Sequence, residues 1–164
     1  MSQKFNAGTY QFDDADAFRE GLGLKVYGQF YFSSTAATTI SVAGTYVKAA
    51  GTTTSDSLSD VTMPENNRLL NDSGSTRLFE VSVHIDAEDG GGNKQLSMKL
   101  AKNGTVIDAT EVDGETTSNH GAHMNLTWAV SLDDEDYIEI WVANNTDTSN
   151  VTATHGHLFI KAID

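Results

Sequence analysis

Residues 77–86 read Arg-Leu-Phe-Glu-Val-Ser-Val-His-Ile-Asp. In an extended chain successive side chains point to opposite faces, so Phe79, Val81, Val83 and Ile85 share one side and Glu80, Ser82 and His84 the other. That is a strand with one dry face and one wet face. The same period in Tyr137–Asn144 sets Ile138, Ile140 and Val142 against Tyr137, Glu139 and Trp141. Here the second face carries large aromatics in place of small polar groups, and it needs a cover.

Around these two segments, from Leu24 onward, short β-branched and aromatic runs alternate with Gly, Asn, Asp and Ser clusters, as in a sandwich or barrel of many short strands. The predicted strands are Lys25–Phe32, Thr38–Lys48, Asn67–Leu70, Arg77–Asp86, Gln95–Lys102, Thr105–Val112, His123–Leu132, Tyr137–Asn144 and His157–Ile163. Lys102-Asn103-Gly104-Thr105 predicts a two-residue type I′ hairpin, because that turn needs positive φ at both central residues and Asn-Gly adopts it at little cost. Ala49–Asp60 and Ala87–Asn93 are polar or Gly-rich and read as surface loops.

The segment ahead of the strands differs. Only Asp13–Gly21 has a helical signature, with acidic residues at its start, Phe18 as an apolar contact and Gly21 to end it. Residues 1–23 thus read as an N-terminal arm and residues 24–164 as one domain, with Phe5, Tyr10, Phe12 and Phe18 as the arm's candidate anchoring groups.

Composition narrows the function. The 164 residues include no cysteine, which excludes disulfides, thiolate metal sites and a cysteine nucleophile. Ten Lys and Arg stand against 23 Asp and Glu, a net charge of −13 that opposes approach to nucleic acid or anionic lipid. No apolar run matches a secretory signal or a membrane span, so the expected product is made in the cytoplasm and not secreted. Gly-x-Ser-x-Gly, His-Glu-x-x-His and a phosphate-cradling Gly loop followed by Lys are all missing, and neither enzymatic activity nor a cofactor is expected.

Taken in order, Ile40-Ser-Val-Ala-Gly44-Thr-Tyr46, the Asn103-Gly104 hairpin, Leu132-Asp-Asp-Glu-Asp136-Tyr-Ile138-Glu-Ile140-Trp-Val142-Ala-Asn144 and His157-Leu-Phe-Ile-Lys-Ala-Ile163 resemble segments of one known fold. It is the jelly roll shared by tumour-necrosis-factor-like cytokines, complement globular heads and many phage structural proteins. The resemblance implies an all-β, antiparallel two-sheet sandwich and a compact homotrimer whose inner-sheet aromatics meet at a three-fold axis. Tyr137, Trp141, Phe159, His157 and Tyr46 are the candidates for that axis; capping the monomer's own core is the alternative use of such rings. Glu135 stands where the family usually has Gly, so the turn before Asp136 is expected to differ in shape or register.

Two kinds of polar cluster stand out. His120-x-x-His123 and His155-x-His157 each offer fewer ligands than zinc needs, so His155 and His157 read as surface or packing residues, with a metal at the three-fold axis as the alternative. Asp86-Ala-Glu88-Asp89 and Asp133-Asp134-Glu135-Asp136 offer oxygen ligands of the kind calcium takes, but neither has the EF-hand pattern, and solvated turn acids are the simpler reading. The expected role is a virion-surface structural protein: a trimeric capsid decoration, cement or head-fibre protein whose arm attaches to the major capsid protein or another virion protein. The alternative is the receptor- or glycan-binding tip of a phage tail fibre, using loops near Ala49–Asp60, Asp86–Asn93 or Asn144–Asn150.

Overall fold

The computed structural model describes residues 25–164; the arm, the Asp13–Gly21 helix and the anchoring candidates Phe5, Tyr10, Phe12 and Phe18 lie outside the described residues. The alternating segment forms β7 (Arg77–Glu88), and its Phe79, Val81, Val83, Ile85 and Ala87 are all buried. β7 sits in a first sheet ordered β11 (Ala122–Leu132), β7, β13 (Val151–Ala162), β1 (Tyr27–Thr35) and β4 (Gly51–Ser59), with β2 (Ala37–Thr38) on β13. The second sheet runs β10 (Val112–Glu115), β8 (Gln95–Lys102), β12 (Tyr137–Asn144), β6 (Leu69–Asn71) and β5 (Val61–Thr62), with β3 (Val47–Lys48) on β12 and β9 (Thr105–Val106) on β8. Every strand pairing is antiparallel, and strands remote in sequence, such as β1 and β13, lie side by side.

The core is the space between the sheets. Phe30, Phe79, Ile85, Met124, Leu158 and Ile160 enter it from the first, Leu96, Met98, Leu100, Ile138, Ile140 and Val142 from the second. At about 1.5–3 kcal/mol for each large side chain removed from water, this burial stabilises a chain that has no disulfides. Among the described residues no helix is long and apolar enough to cross a membrane.

Gln95–Lys102 and Tyr137–Asn144 form as predicted, and other segments differ for local reasons. Thr38–Lys48 pairs only at its ends, as β2 and β3, because the chain turns between them at Gly44, where φ is 75°. Thr105–Val112 breaks into a 3₁₀ turn at Asp108–Thr110, where the Thr110 hydroxyl donates to the Ile107 carbonyl at 2.7 Å and accepts the Leu100 N–H at 2.9 Å. Ala49–Asp60, expected as a loop, is mostly the edge strand β4; its threonines suit the pleat, and an edge strand tolerates polar groups on both faces. β7 continues to Glu88, so the expected Ala87–Asn93 loop begins two residues late.

Two turns follow the chemistry of their residues. Asn103 and Gly104 both have positive φ, 52° and 74°, as a type I′ hairpin requires. Glu135 has φ 69°, so it adopts the left-handed conformation in spite of its side chain. Its N–H donates to the Asn71 carbonyl at 2.8 Å, and the Asp136 N–H donates to the Asp133 carbonyl at 3.0 Å. These bonds hold a shape that glycine would take without strain.

Candidate assembly surface

The two outward faces are built differently. On the second sheet the aromatic side of β12 is covered by the chain's own cations. Glu139 is 1% exposed; it accepts bonds from Arg68 Nε at 3.0 Å and Nη2 at 2.8 Å, and from Trp141 Nε1 at 3.1 Å, and Lys48 Nζ lies 2.8 Å away. The Arg68 guanidinium lies 3.7 Å from the centre of the Tyr137 ring, and Lys99 Nζ lies 4.4 Å from that of Tyr46. Lys99 also reaches Asp108 at 2.9 Å and Glu111 at 3.0 Å, and the hydrogen bond to Asp108, ahead of that to Glu111, raises its pKa against the opposing effect of burial. Burial pushes the Tyr46 hydroxyl up to about 12. Tyr46, Tyr137 and Trp141 are thereby partly covered by a polar network of the chain's own side chains.

The first sheet presents an open grid. Across β1, β13, β7 and β11 its outward rows are Tyr27–Lys161–Glu80–Ala129, Gln29–Phe159–Ser82–Thr127 and Tyr31–His157–His84–Asn125; beyond them lies the three-residue row His155–Asp86–His123. Leu78, near the start of β7, and Ile163, just after β13, continue this face. Tyr31 is 46% exposed, Leu78 40% and Ile163 48%, and Phe159 is half-buried among them. Lys161 lies 3.8 Å from Glu80, and Gln29 donates to Asp56 of β4 at 2.8 Å.

The same sheet is also open along one edge. β10 has only four residues; an added Cβ on its Gly114 would come within 2.9 Å of the Ala122 Cβ and 3.1 Å of the Met124 Cγ. That close approach covers the first part of β11. Further along, Leu126, Trp128 and Val130 point into the sandwich but stay only partly buried.

The sequence-predicted axis residues do not share a face. His157 and Phe159 are outward on β13, whereas Tyr137 and Trp141 are on β12 and Tyr46 precedes β3, all in the other sheet. Periodicity tells which residues of a strand point together; it does not tell which sheet a strand joins. For that reason the sequence did not single out Tyr31 and Leu78, which stand exposed on the first sheet, or β11 at its edge; the sequence signal for them was the outward parity of each residue in its own strand.

The polar clusters separate as well. His155 and His157 both face outward, joined there by His84 and His123, which lie close by on neighbouring strands. His120 lies elsewhere, in a cleft with Asp89, Gly91 and Thr117. Asp86 faces the histidines, while Asp89 is buried and accepts the Gly92 N–H at 2.9 Å, so the acids at 86–89 do not converge. Asp133 accepts from Thr76 at 2.7 Å, Asp134 from the Gly74 N–H at 2.8 Å, and Asp136 pairs with Lys102 at 2.7 Å. Among the described residues one group of three acids, Asp72, Asp134 and Glu135, has carboxylate oxygens within 4.8 Å of one another; all three are exposed.

No protein-family model matches the sequence, and no curated protein does. Solved structures do. PRD1 vertex protein P5 matches with a TM-score of 0.55 at 10% identity, covering 87% of this chain and 99% of that one. Murine APRIL matches with a TM-score of 0.55 at 7% identity over 82% of this chain and 98% of that one. The fold is the tumour-necrosis-factor-like and complement-head-like jelly roll. The globular domain of zebrafish complement 1qA has a TM-score of 0.50 at 9% identity, over 85% of this chain and 98% of that one. At such identities the likeness is one of fold. Within this jelly roll the Asn103-Gly104 hairpin joins β8 to β9, and the closing motif His157–Ile163 covers the last six residues of β13 and the one that follows it.

Proposed function

We propose that this protein is a virion structural component that works as a homotrimer, each subunit laying the outward face of its first sheet against the open β11 edge of the next. The observation that carries this reading is the contrast between the two faces. Lys48, Arg68 and Lys99 cover the aromatics of the second sheet, while Tyr31, Leu78 and Ile163 stand exposed on the first.

A ring of three is built from heterologous contacts, in which two different patches of one subunit fit each other. The apolar face and the edge formed by Leu126, Trp128 and Val130 are two such patches. Charge is compatible with the arrangement: the acids on the outward parity of β7 are Glu80, Asp86 and Glu88, and Lys161 lies beside Glu80. The trimer is what the fold resemblance implies, and likeness to a phage vertex protein supports a place on a virion. The mechanism is burial of apolar surface, without chemical turnover.

A second reading, the glycan- or receptor-binding tip of a tail fibre, is favoured by the polar cleft between Asp89–Gly92 and Thr116–His120. Electron microscopy of intact particles labelled with antibody to this chain separates the two. Label on shell faces or vertices is the expected result, label at the tail supports the second reading, and particles without label overturn both.

A further inference from the structure

Four of the chain's five histidines share the outward face of the first sheet, and they come from three strands: His84 on β7, His123 on β11, His155 and His157 on β13. We infer that the trimer is proton-gated, holding near neutral pH and separating when these imidazoles take up protons. This inference rests on the trimer reading and names its regulation.

One carboxylate serves the whole group. Asp86 Oδ1 lies 3.1 Å from His84 Nε2 and 2.5 Å from His123 Nδ1, and its Oδ2 lies 4.0 Å from His155 Nδ1. The His157 ring centre is 5.7 Å from that of His84, its direct cross-strand neighbour. The other groups facing the cluster are Glu80 and Glu88 from β7, Lys161 from β13, Tyr27 and Tyr31 from β1, and Asp56 of β4 through Gln29; β11 adds only Asn125 and Thr127 beside His123. Asp86 can balance one imidazolium. Glu88 follows Asp86 on the same face of β7, and Lys161 lies beside Glu80.

Imidazole is the side chain whose charge changes between about pH 5 and 8. In the free subunit these rings are open to water, with the His155 side chain 82% and the His123 side chain 69% exposed. Packed against a neighbouring subunit, each imidazolium would lose hydration, and one carboxylate, Asp86, is shared by His84, His123 and His155. A competing effect runs the other way, since protonation lowers the net charge of −13. Separation decides between them: the His84 and His157 ring centres are 5.7 Å apart, inside the screening length of about 8–10 Å, so two imidazolium ions there repel strongly once the contact excludes water. The subunit therefore binds more protons than the trimer does, and acid favours the subunit by mass action. With even one imidazole per chain held neutral by assembly, the trimer's association constant falls about a thousand-fold per pH unit once that group titrates.

The test is light scattering of the full chain at about pH 8 and about pH 5.5, with circular dichroism to confirm that the subunits stay folded, for the wild type and the fourfold variant His84→Gln, His123→Gln, His155→Gln, His157→Gln. The expected result is a wild type that falls to one third of its mass at the lower pH and recovers on return, and a variant that stays trimeric at both. A wild type that remains trimeric in acid, or a variant that dissociates in parallel with it, overturns the gate and leaves the trimer reading standing. A folded monomer at both values overturns the trimer reading and the gate with it. If the fourfold variant does not assemble, the pair His84→Gln, His157→Gln gives the answer: its dissociation midpoint moves to lower pH, and an unmoved midpoint refutes the inference.

Discussion

Asn67 is wholly buried with φ 54°, and it acts as a piece of strand. β3 pairs with β12 at Trp141 and Val142, and β6 pairs with it at Tyr137 and Ile138, which leaves a gap around Ile140. The Asn67 amide fills that gap: its Oδ1 accepts the Ile140 N–H at 3.0 Å, and its Nδ2 donates to the carbonyls of Ile140 at 2.8 Å and Ala49 at 3.0 Å. In Asn67→Ala the Ile140 N–H and the Ala49 carbonyl lose these partners, at about 1–3 kcal/mol for each buried group left unpaired. Alanine in the left-handed region adds about 1 kcal/mol over asparagine, which tolerates it better. The expected loss is about 3–7 kcal/mol, a large share of the roughly 5–15 kcal/mol that stabilises a typical domain. Asn67→Gly removes the backbone strain alone and should recover about 1 kcal/mol of that loss. The assay is urea unfolding at fixed protein concentration, because association adds to apparent stability, with the midpoint shifting at constant slope. An alanine variant within about 1 kcal/mol of wild type would refute the reasoning. So would a glycine variant of full stability, since the backbone conformation and not the amide would then hold the sheet together.

Three further outcomes follow from the geometry. Glu139→Gln strips the charge that Arg68 and Lys48 share and should cost about 1–3 kcal/mol in urea unfolding, less than a fully buried pair because both cations keep some contact with water. For Asp136, burial alone would raise the pKa, but bonds from Lys102, Asn103 and the Asp133 N–H outweigh it and hold the carboxyl below its usual range. Its stabilisation is therefore present above the unfolded carboxylate pKa and lost as pH falls through the folded one; Asp136→Asn should cost about 1 kcal/mol at neutral pH, and its unfolding midpoint should converge on wild type in strong acid. Glu135→Gly should leave stability unchanged or raise it by up to about 1 kcal/mol in thermal melts, because the relief of left-handed strain exceeds the added freedom of the unfolded chain.

Much of the fold was legible because it depends on local rules. Alternation marked the dry faces of β7 and β12, and Asn103-Gly104 marked its own turn. β4 was illegible because edge strands have little to bury, so Gly51–Ser59 has the composition of a loop. The outward face of the first sheet was half legible. Phe159 and His157 lie on it, but Tyr137, Trp141 and Tyr46 were grouped with them because chain proximity of β12 and β13 says nothing about which sheet each joins. The histidine group was hidden for the same reason: His84, His123 and His155 meet only through strand register, and no spacing in the sequence encodes that.

The central claim is that the first sheet's outward face joins three copies of this chain. Light scattering at about pH 8 and tens of micromolar protein, run on wild type and Phe159→Asp, tests it most directly. The account predicts three times the 17.6 kDa chain mass for wild type and a single folded chain for the variant, whose added carboxylate would sit against a neighbouring subunit. A wild type of single-chain mass, or a variant that remains trimeric, would contradict it.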